Sequence, residues 1–167
     1  KTATDRWFGK WQHEANYLGV KTSILKQKVS DQNFHDDFDH LSPIDQDVDY
    51  LKNSIMFSSA IGDWAATLLY EEYELVNQNK LSSLPYRRLP QLTLNKSFTV
   101  LDERISINWN NEFVQFDKQD RVVGDRLHIN PTLSYPLEGN YYFITPELEL
   151  DFTSYQLDNN VNDNNSL

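Results

Sequence analysis

The chain has 167 residues, enough for one domain with a sizeable core, yet only 39% of them are hydrophobic and the formal net charge is −10. That balance excludes a nucleic-acid surface, which needs clustered Lys and Arg. No apolar run approaches a membrane helix in length, and the absence of Cys excludes a disulfide or thiolate metal site within the chain.

Lys1 opens directly into Thr2-Ala3-Thr4-Asp5 with no signal peptide, so one is expected to have been removed or the chain to be an internal piece. Arg6 to His13 reads as strand, with Trp7, Gly9 and Trp11 on one face and Lys10 and Gln12 on the other. A turn is expected near Ala15 to Tyr17. A weaker strand follows from Leu18 to Val29, where Val20, Thr22 and Ile24 oppose Lys21, Ser23 and Gln27. Between Asp31 and Asp49 lie seven Asp and no Lys or Arg, the mark of a solvated loop. His35 and His40 with Asp36, Asp37, Asp39, Asp45, Asp47 and Asp49 offer oxygen ligands. They lack the spacing and glycine of an EF-hand, which favours a hydrated external loop over a cation site.

Tyr50 to Ile61 is the third strand, with Ile55, Phe57 and Ile61 on one side. Gly62-Asp63 signals a tight turn. Trp64 to Leu75 is the fourth, carrying Trp64, Ala66, Leu68 and Tyr70 on one face and losing that face at Glu71 to Glu74. A polar loop from Val76 to Pro85 leads to a fifth strand, Tyr86 to Thr99. There Leu92, Leu94 and Phe98 alternate with Gln91, Thr93 and Asn95, and Pro90 points to a bulge or irregular start.

Three segments with a two-residue period follow. In the first, Ile105, Ile107, Trp109 and Phe113 oppose Arg104, Ser106, Asn108, Asn110 and Glu112. In the second, Leu127, Ile129, Leu133, Tyr135 and Leu137 oppose Arg126, His128, Asn130, Thr132 and Ser134. In the third, Tyr142, Ile144, Leu148, Leu150 and Phe152 oppose Thr145, Glu147, Glu149, Asp151 and Thr153. The expected connections are Asp117 to Gly124 and Glu138 to Asn140. Pro131, Pro136 and Pro146 each remove a ladder donor. They fit bulges or strand ends, or else a deliberately weakened wall in which Val at 131 and 146 would stiffen the sheet. The tail, residues 158–167, is Asn- and Asp-rich and reads as disordered or as the start of an external loop.

The connections alternate between short and long, as in a transmembrane β-barrel with short periplasmic turns and longer external loops. Trp7, Trp64, Tyr135, Tyr141 and Tyr142 suit aromatic girdles. The expected fold is therefore all-β: an antiparallel up-and-down meander of about eight strands, a segment of a large barrel wall over residues 1–157. Ile105, Ile107, Trp109, Leu127, Ile129, Leu133, Leu148 and Leu150 are then expected to face lipid. Arg126, His128, Asn130, Thr132, Glu147, Glu149 and Asp151 are expected to face the lumen. The alternative is a soluble β-sandwich or small barrel that binds an apolar ligand, because ordinary antiparallel sheets alternate too. Glu147, Glu149, Asp151 and His128 form a row along a strand and not a converging acid–base cleft. No nucleophile elbow or glycine-rich phosphate loop is present, so neither an enzyme nor a cofactor is expected.

The segments FVQFDKQDRVVGDRLHINPTLSYPL (113–137) and ITPELELDFTSYQ (144–156) resemble the C-terminal barrel of the LptD family of LPS-assembly outer-membrane proteins. RLHINPTLSYPL is similar to the family's Arg-(Leu/Val)-His-(Leu/Ile)-x-Pro-(Thr/Ser)-(Leu/Ile)-x-x-Pro-Leu strand. DRWFGKWQH (5–13), KVSDQNFHDDFD (28–39) and PQLTLN (90–95) fall in the family's order. The resemblance spans nearly the whole chain and is weakest at 42–53 and in the tail. It implies an internal stretch of a larger barrel that assembles lipopolysaccharide into the outer leaflet of the outer membrane. It also implies a lipoprotein plug of the LptE type as partner, and a periplasmic lipopolysaccharide bridge protein that meets a jellyroll domain outside this chain. The family's cysteines and the first and last barrel strands likewise fall outside it.

Overall fold

A computed structural model describes residues 5–31, 50–76, 84–102, 104–119 and 121–158. Eleven strands form: β1 (Phe8–Tyr17), β2 (Val20–Val29), β3 (Tyr50–Ile61), β4 (Trp64–Leu75), β5 (Arg87–Val100), β6 (Ile105–Asp117), β7 (Val123–Ser134), β8 (Leu137–Gly139), β9 (Tyr142–Ile144), β10 (Glu147–Glu149) and β11 (Phe152–Asp158). There is no helix among the described residues. β1 to β7 pair in chain order, all antiparallel, and both β10 and β11 pair with β7. The sheet does not close on itself, and the outer edges of β1 and of β10 and β11 have no strand beside them among the described residues.

Two-residue turns join β1 to β2, β3 to β4 and β8 to β9. Leu18 and Gly19 take φ 51° and 82°, positive at both central positions as a type I′ turn requires. The alternation fades at Glu14 to Asn16, so the sequence places this turn too early; pairing with β2 carries β1 on to Tyr17. At the second hairpin Gly62 takes φ 60° in the Gly62-Asp63 link, as the sequence signals. Leu101 and Asp102 share φ 54° in the third, where the Arg104 N–H bonds the Leu101 carbonyl at 3.2 Å.

The last hairpin departs most from expectation. Its third segment is not one strand. Ser134 faces Glu147, Leu137 faces Ile144 and Phe152 faces Ile129, so a single register runs through β7 to β11. The ladder lapses beside the prolines. Tyr135 N–H still reaches the Pro146 carbonyl, and Leu150 N–H the Pro131 carbonyl, each at 3.0 Å, but the proline nitrogens return no bond. β8 and β9 become a separate two-stranded tip, with the connection at 140–141 and not at Glu138 to Asn140. β6 and β7 also grow into the expected 117–124 connection, leaving 118–122.

Pro90 does mark a bulge. Leu69 faces Gln91 and Glu71 faces Arg88, while on the other side Gln91 faces Val114 and Arg88 faces Phe116. Leu89 and the cis Pro90 are the extra length. Beyond them the parity of β5 reverses, which sends Arg88 to the face opposite Leu92 and Leu94.

Each hairpin overshoots its predecessor in the same direction. Lys21 faces Ser58 while β3 runs on to Ile61, Ala65 faces Asn95 while β5 runs on to Val100, and Ser106 faces Ser134 while the last hairpin reaches Gly139. The slip is roughly ten residues, ~34 Å, over six strand steps of ~4.8 Å, so the strands tilt by about 50° from the perpendicular to the line of hairpin tips. Closed barrels need strand tilt of this order.

There is almost no core. Among the described residues five hydrophobic side chains are buried, against 28 large hydrophobics that are exposed. Val29, Leu51 and Val76, with Phe8 against them, make a small cluster at the long-connection end of β1 to β4. A soluble sandwich would instead seal one whole face.

Candidate functional site: two unlike faces and a charged belt

Side chains directly opposite across an antiparallel pair share a face, so the register assigns every residue to one of two surfaces. On the first surface lie Ile24 opposite Ile55, Phe57 opposite Leu68, Leu68 opposite Leu92, Leu92 opposite Phe113, Phe113 opposite Leu127, and Ile107 opposite Leu133. Leu148 faces Leu133 and Phe152 faces Ile129. Trp109 faces Pro131, Ile105 faces Val100, and Leu150 joins them across from Pro131. The surface therefore stays apolar across all the main strands, over about seven residues from each hairpin tip, or ~20 Å along each strand. It is uncovered: Leu133 is 38% exposed and Leu148 61%. Soluble monomers seldom leave so large a continuous apolar patch open.

Its charges lie at the margins. Lys26 Nζ meets Glu72 Oε1 at 2.8 Å where the apolar band ends toward the long connections. Lys96 bends to Asp63 in the neighbouring turn at 3.0 Å, with its ammonium 5.8 Å from the Trp64 ring and 5.4 Å from Phe98. A long cationic side chain reaching from an apolar surface to a polar margin is snorkelling behaviour.

The second surface is polar. His128 faces Glu112, Asn130 faces Asn110, Thr132 faces Asn108 and Glu149, and Ser134 faces Glu147. All seven of Arg126, His128, Asn130, Thr132, Glu147, Glu149 and Asp151 therefore share it. They bond across strands: Asn130 Nδ2 donates to Glu149 Oε1 at 2.7 Å, and His128 Nδ1 lies 2.9 Å from Thr153 Oγ1 and 3.4 Å from Asp151 Oδ1. No group of three or more metal-ligating side chains converges among the described residues. The His35 and His40 loop lies outside them, as does the tail beyond Asp158.

A belt of charge crosses this surface that single-strand reading does not find. Lys52 on β3 meets Glu71 on β4 at 2.5 Å, and Arg88 on β5 stands 3.9 Å from Glu71. Arg88 donates to Gln91 at 3.1 Å, Gln91 donates to Glu112 on β6 at 2.6 Å, and Arg126 on β7 pairs with Glu112. Tyr73 O–H also donates to Glu71, which is buried with 3% exposure. Sequence alternation sets Gln91, Glu112 and Arg126 on polar faces but does not connect them to Lys52, Glu71 or Arg88. Arg88 joins because the bulge reverses β5, and Lys52 and Glu71 meet because sequence-distant hairpin arms fall in register. Each carboxylate sits between donors from the strands on either side, so the belt ties five strands together. Glu71→Gln removes the charge that three donors share and turns one accepting oxygen into a donor, and is expected to destabilise the assembled protein by about 1–3 kcal/mol. A lowered urea midpoint in detergent checks it.

Residues 4–167 match the family described as LptD: LPS transport system D. The LPS-assembly protein LptD of Azoarcus sp. (strain BH72) is 28% identical over 165 residues, covering 96% of this chain and 20% of that protein. That of Ralstonia nicotianae is 31% identical over 149 residues, covering 87% and 18%. That of Aliivibrio fischeri is 28% identical over 161 residues, covering 95% and 20%. The chain spans about one-fifth of the length of the curated relatives it matches.

Proposed function

This chain belongs to the LptD family, and on that premise we propose that residues 1–157 form a run of wall strands in an outer-membrane barrel that assembles lipopolysaccharide into the outer leaflet. The observation that carries this reading is the apolar surface, many strands wide, left uncovered among the described residues, backed by a polar surface and flanked by two edges that pair with no described strand. Neither edge nor apolar surface is tolerable in water, and both are resolved if further strands close the sheet within a bilayer. The apolar set, Ile105, Ile107, Trp109, Leu127, Ile129, Leu133, Leu148 and Leu150, then meets lipid. The polar set, Arg126, His128, Asn130, Thr132, Glu147, Glu149 and Asp151, lines the lumen, where a lipoprotein plug would contact it. The long connections open outward and the two-residue turns into the periplasm. The role is structural and transport-related, without catalysis.

Depleting the protein from cells while pulse-labelling lipopolysaccharide tests the function. Label is expected to stop reaching the cell surface and to accumulate inside the outer membrane. Unchanged arrival at the surface would end the proposal.

A further inference from the structure

The first surface is hollow in one place. β2 and β3 pair only as far as Leu25 opposite Ser54. Beyond that rung side chains take over from the ladder: Gln27 N–H donates to Asn53 Oδ1 at 2.6 Å, and Gln27 Nε2 to the Lys52 carbonyl at 3.0 Å. The strands part there. Farther across the sheet, the β5 bulge sets Leu89 beside Tyr70. The result is a groove of about 400 Å³, with Trp11 and Ile24 on one bank, Tyr70 and Leu89 on the other and Ile55 between them. Its walls are open, with Trp11 56% exposed and Ile55 40%.

The end of the groove nearer the long connections is charged. Lys26 and Glu72 cancel one another there. Lys28 follows Lys26 on the same face of β2, ~7 Å further along. It is exposed and has no ion-pair partner among the described residues. Lys28 stands opposite Gly9, and the Trp7 ring lies against that glycine. Tryptophan and lysine at one depth are the residues of a membrane–water interface.

A polypeptide segment in the groove would bring unpaired N–H and C=O groups into hydrocarbon, which is costly. A lipid without an anionic head group would leave Lys28 unused. We propose that the groove holds one acyl chain of a phosphate-bearing lipid, whose head group lies against Lys28 and Trp7. Its volume is at the small end of ligand pockets, which start near about 300 Å³, and suits a single chain better than a whole lipid. The inference rests on the first surface meeting lipid, names the lipid bound there, and uses nothing of the polar surface.

The test places the intact protein in phosphatidylcholine vesicles with a trace of phosphatidylglycerol that carries a diazirine in one acyl chain. Attachment is expected to be enriched on peptides containing Trp11, Ile55 or Leu89 over those from β6 and β7. The same diazirine carried on phosphatidylcholine should attach without enrichment, and inorganic phosphate should displace nothing. Lys28→Gln is expected to raise the unlabelled phosphatidylglycerol needed for half displacement about fivefold, the worth of one lysine at a membrane surface. Ile55→Trp, which fills the groove, should abolish the enrichment, and Lys10→Gln, on the polar face, should change nothing. All variants are compared in heat-modifiable form. Equal attachment by the two lipids would mean an ordinary boundary lipid only and would overturn the site, as would an unchanged half-displacement point in Lys28→Gln. A groove left unlabelled while β6 and β7 label strongly would mean that protein fills it; this inference then falls alone and the barrel assignment stands. Failure of the label on β6 and β7 as well would take the barrel assignment with it.

Discussion

Leu68→Arg is expected to block assembly of the protein in the outer membrane, whereas Thr67→Arg, one residue earlier, is expected to be tolerated. Leu68 lies between Phe57 and Leu92 near the middle of the apolar band, four residues from the Trp64 end of β4. Thr67 lies between Ser58 and Thr93 on the polar surface. If the first surface meets hydrocarbon, an Arg near the bilayer midplane costs about 2–4 kcal/mol, while one facing the lumen costs little beyond local repacking. In a soluble β-sandwich the same two substitutions would differ only through burial against a second layer, and among the described residues no such layer covers Leu68. The readout is the fraction of each variant that reaches the outer membrane in a protease-resistant, heat-modifiable form. Equal behaviour of the two variants would remove the distinction between the surfaces.

The second large effect is expected at Gly124. An added Cβ would stand 2.3 Å from the Gln156 carbonyl and 2.9 Å from the Leu157 Cα, both backbone atoms that cannot swing aside. Gly124 faces Phe116 on one neighbour and Leu157 on the other, so the strain lies in the β7–β11 ladder itself. Gly124→Val should therefore separate the two strands at their long-connection end. Overpacking of this kind usually costs about 1–3 kcal/mol, and the upper end is expected where only backbone can yield. Amide exchange of residues 152–158 should speed up sharply relative to β3 and β4. By contrast Gly19→Ala meets open space and is limited by its positive φ alone.

The strands were legible because side chains alternate across a sheet, and the alternation in β3 and β4 is clean enough to place both ends of each strand. Gly62 announced its own turn because its backbone geometry favours a residue without Cβ. The apolar surface followed from the same period, since Ile107, Leu133 and Leu148 need only parity to be grouped. What parity cannot show is a reversal of parity. Leu89 and Pro90 insert extra length into β5, so Arg88, an even-numbered residue like Leu92, lands on the polar surface beside Glu71. The charged belt was hidden for the same reason: it depends on which rung of one hairpin meets which rung of the next. The prolines were visible in the sequence, but not how far they part the ladder. Pro131 and Pro146 keep their carbonyl bonds and lose only the donor side, which divides one expected strand into three short ones without shifting its register.

The most direct measurement is a nitroxide scan along β6, positions 105–114, in the membrane-assembled protein, recording collision with oxygen and with a water-soluble nickel chelate. Oxygen accessibility is expected to peak at Ile105, Ile107, Trp109 and Phe113, with nickel accessibility peaking at Ser106, Asn108 and Asn110. A scan without two-residue alternation, or one in which the odd positions are closed to both reagents, would mean that protein and not lipid covers the apolar surface.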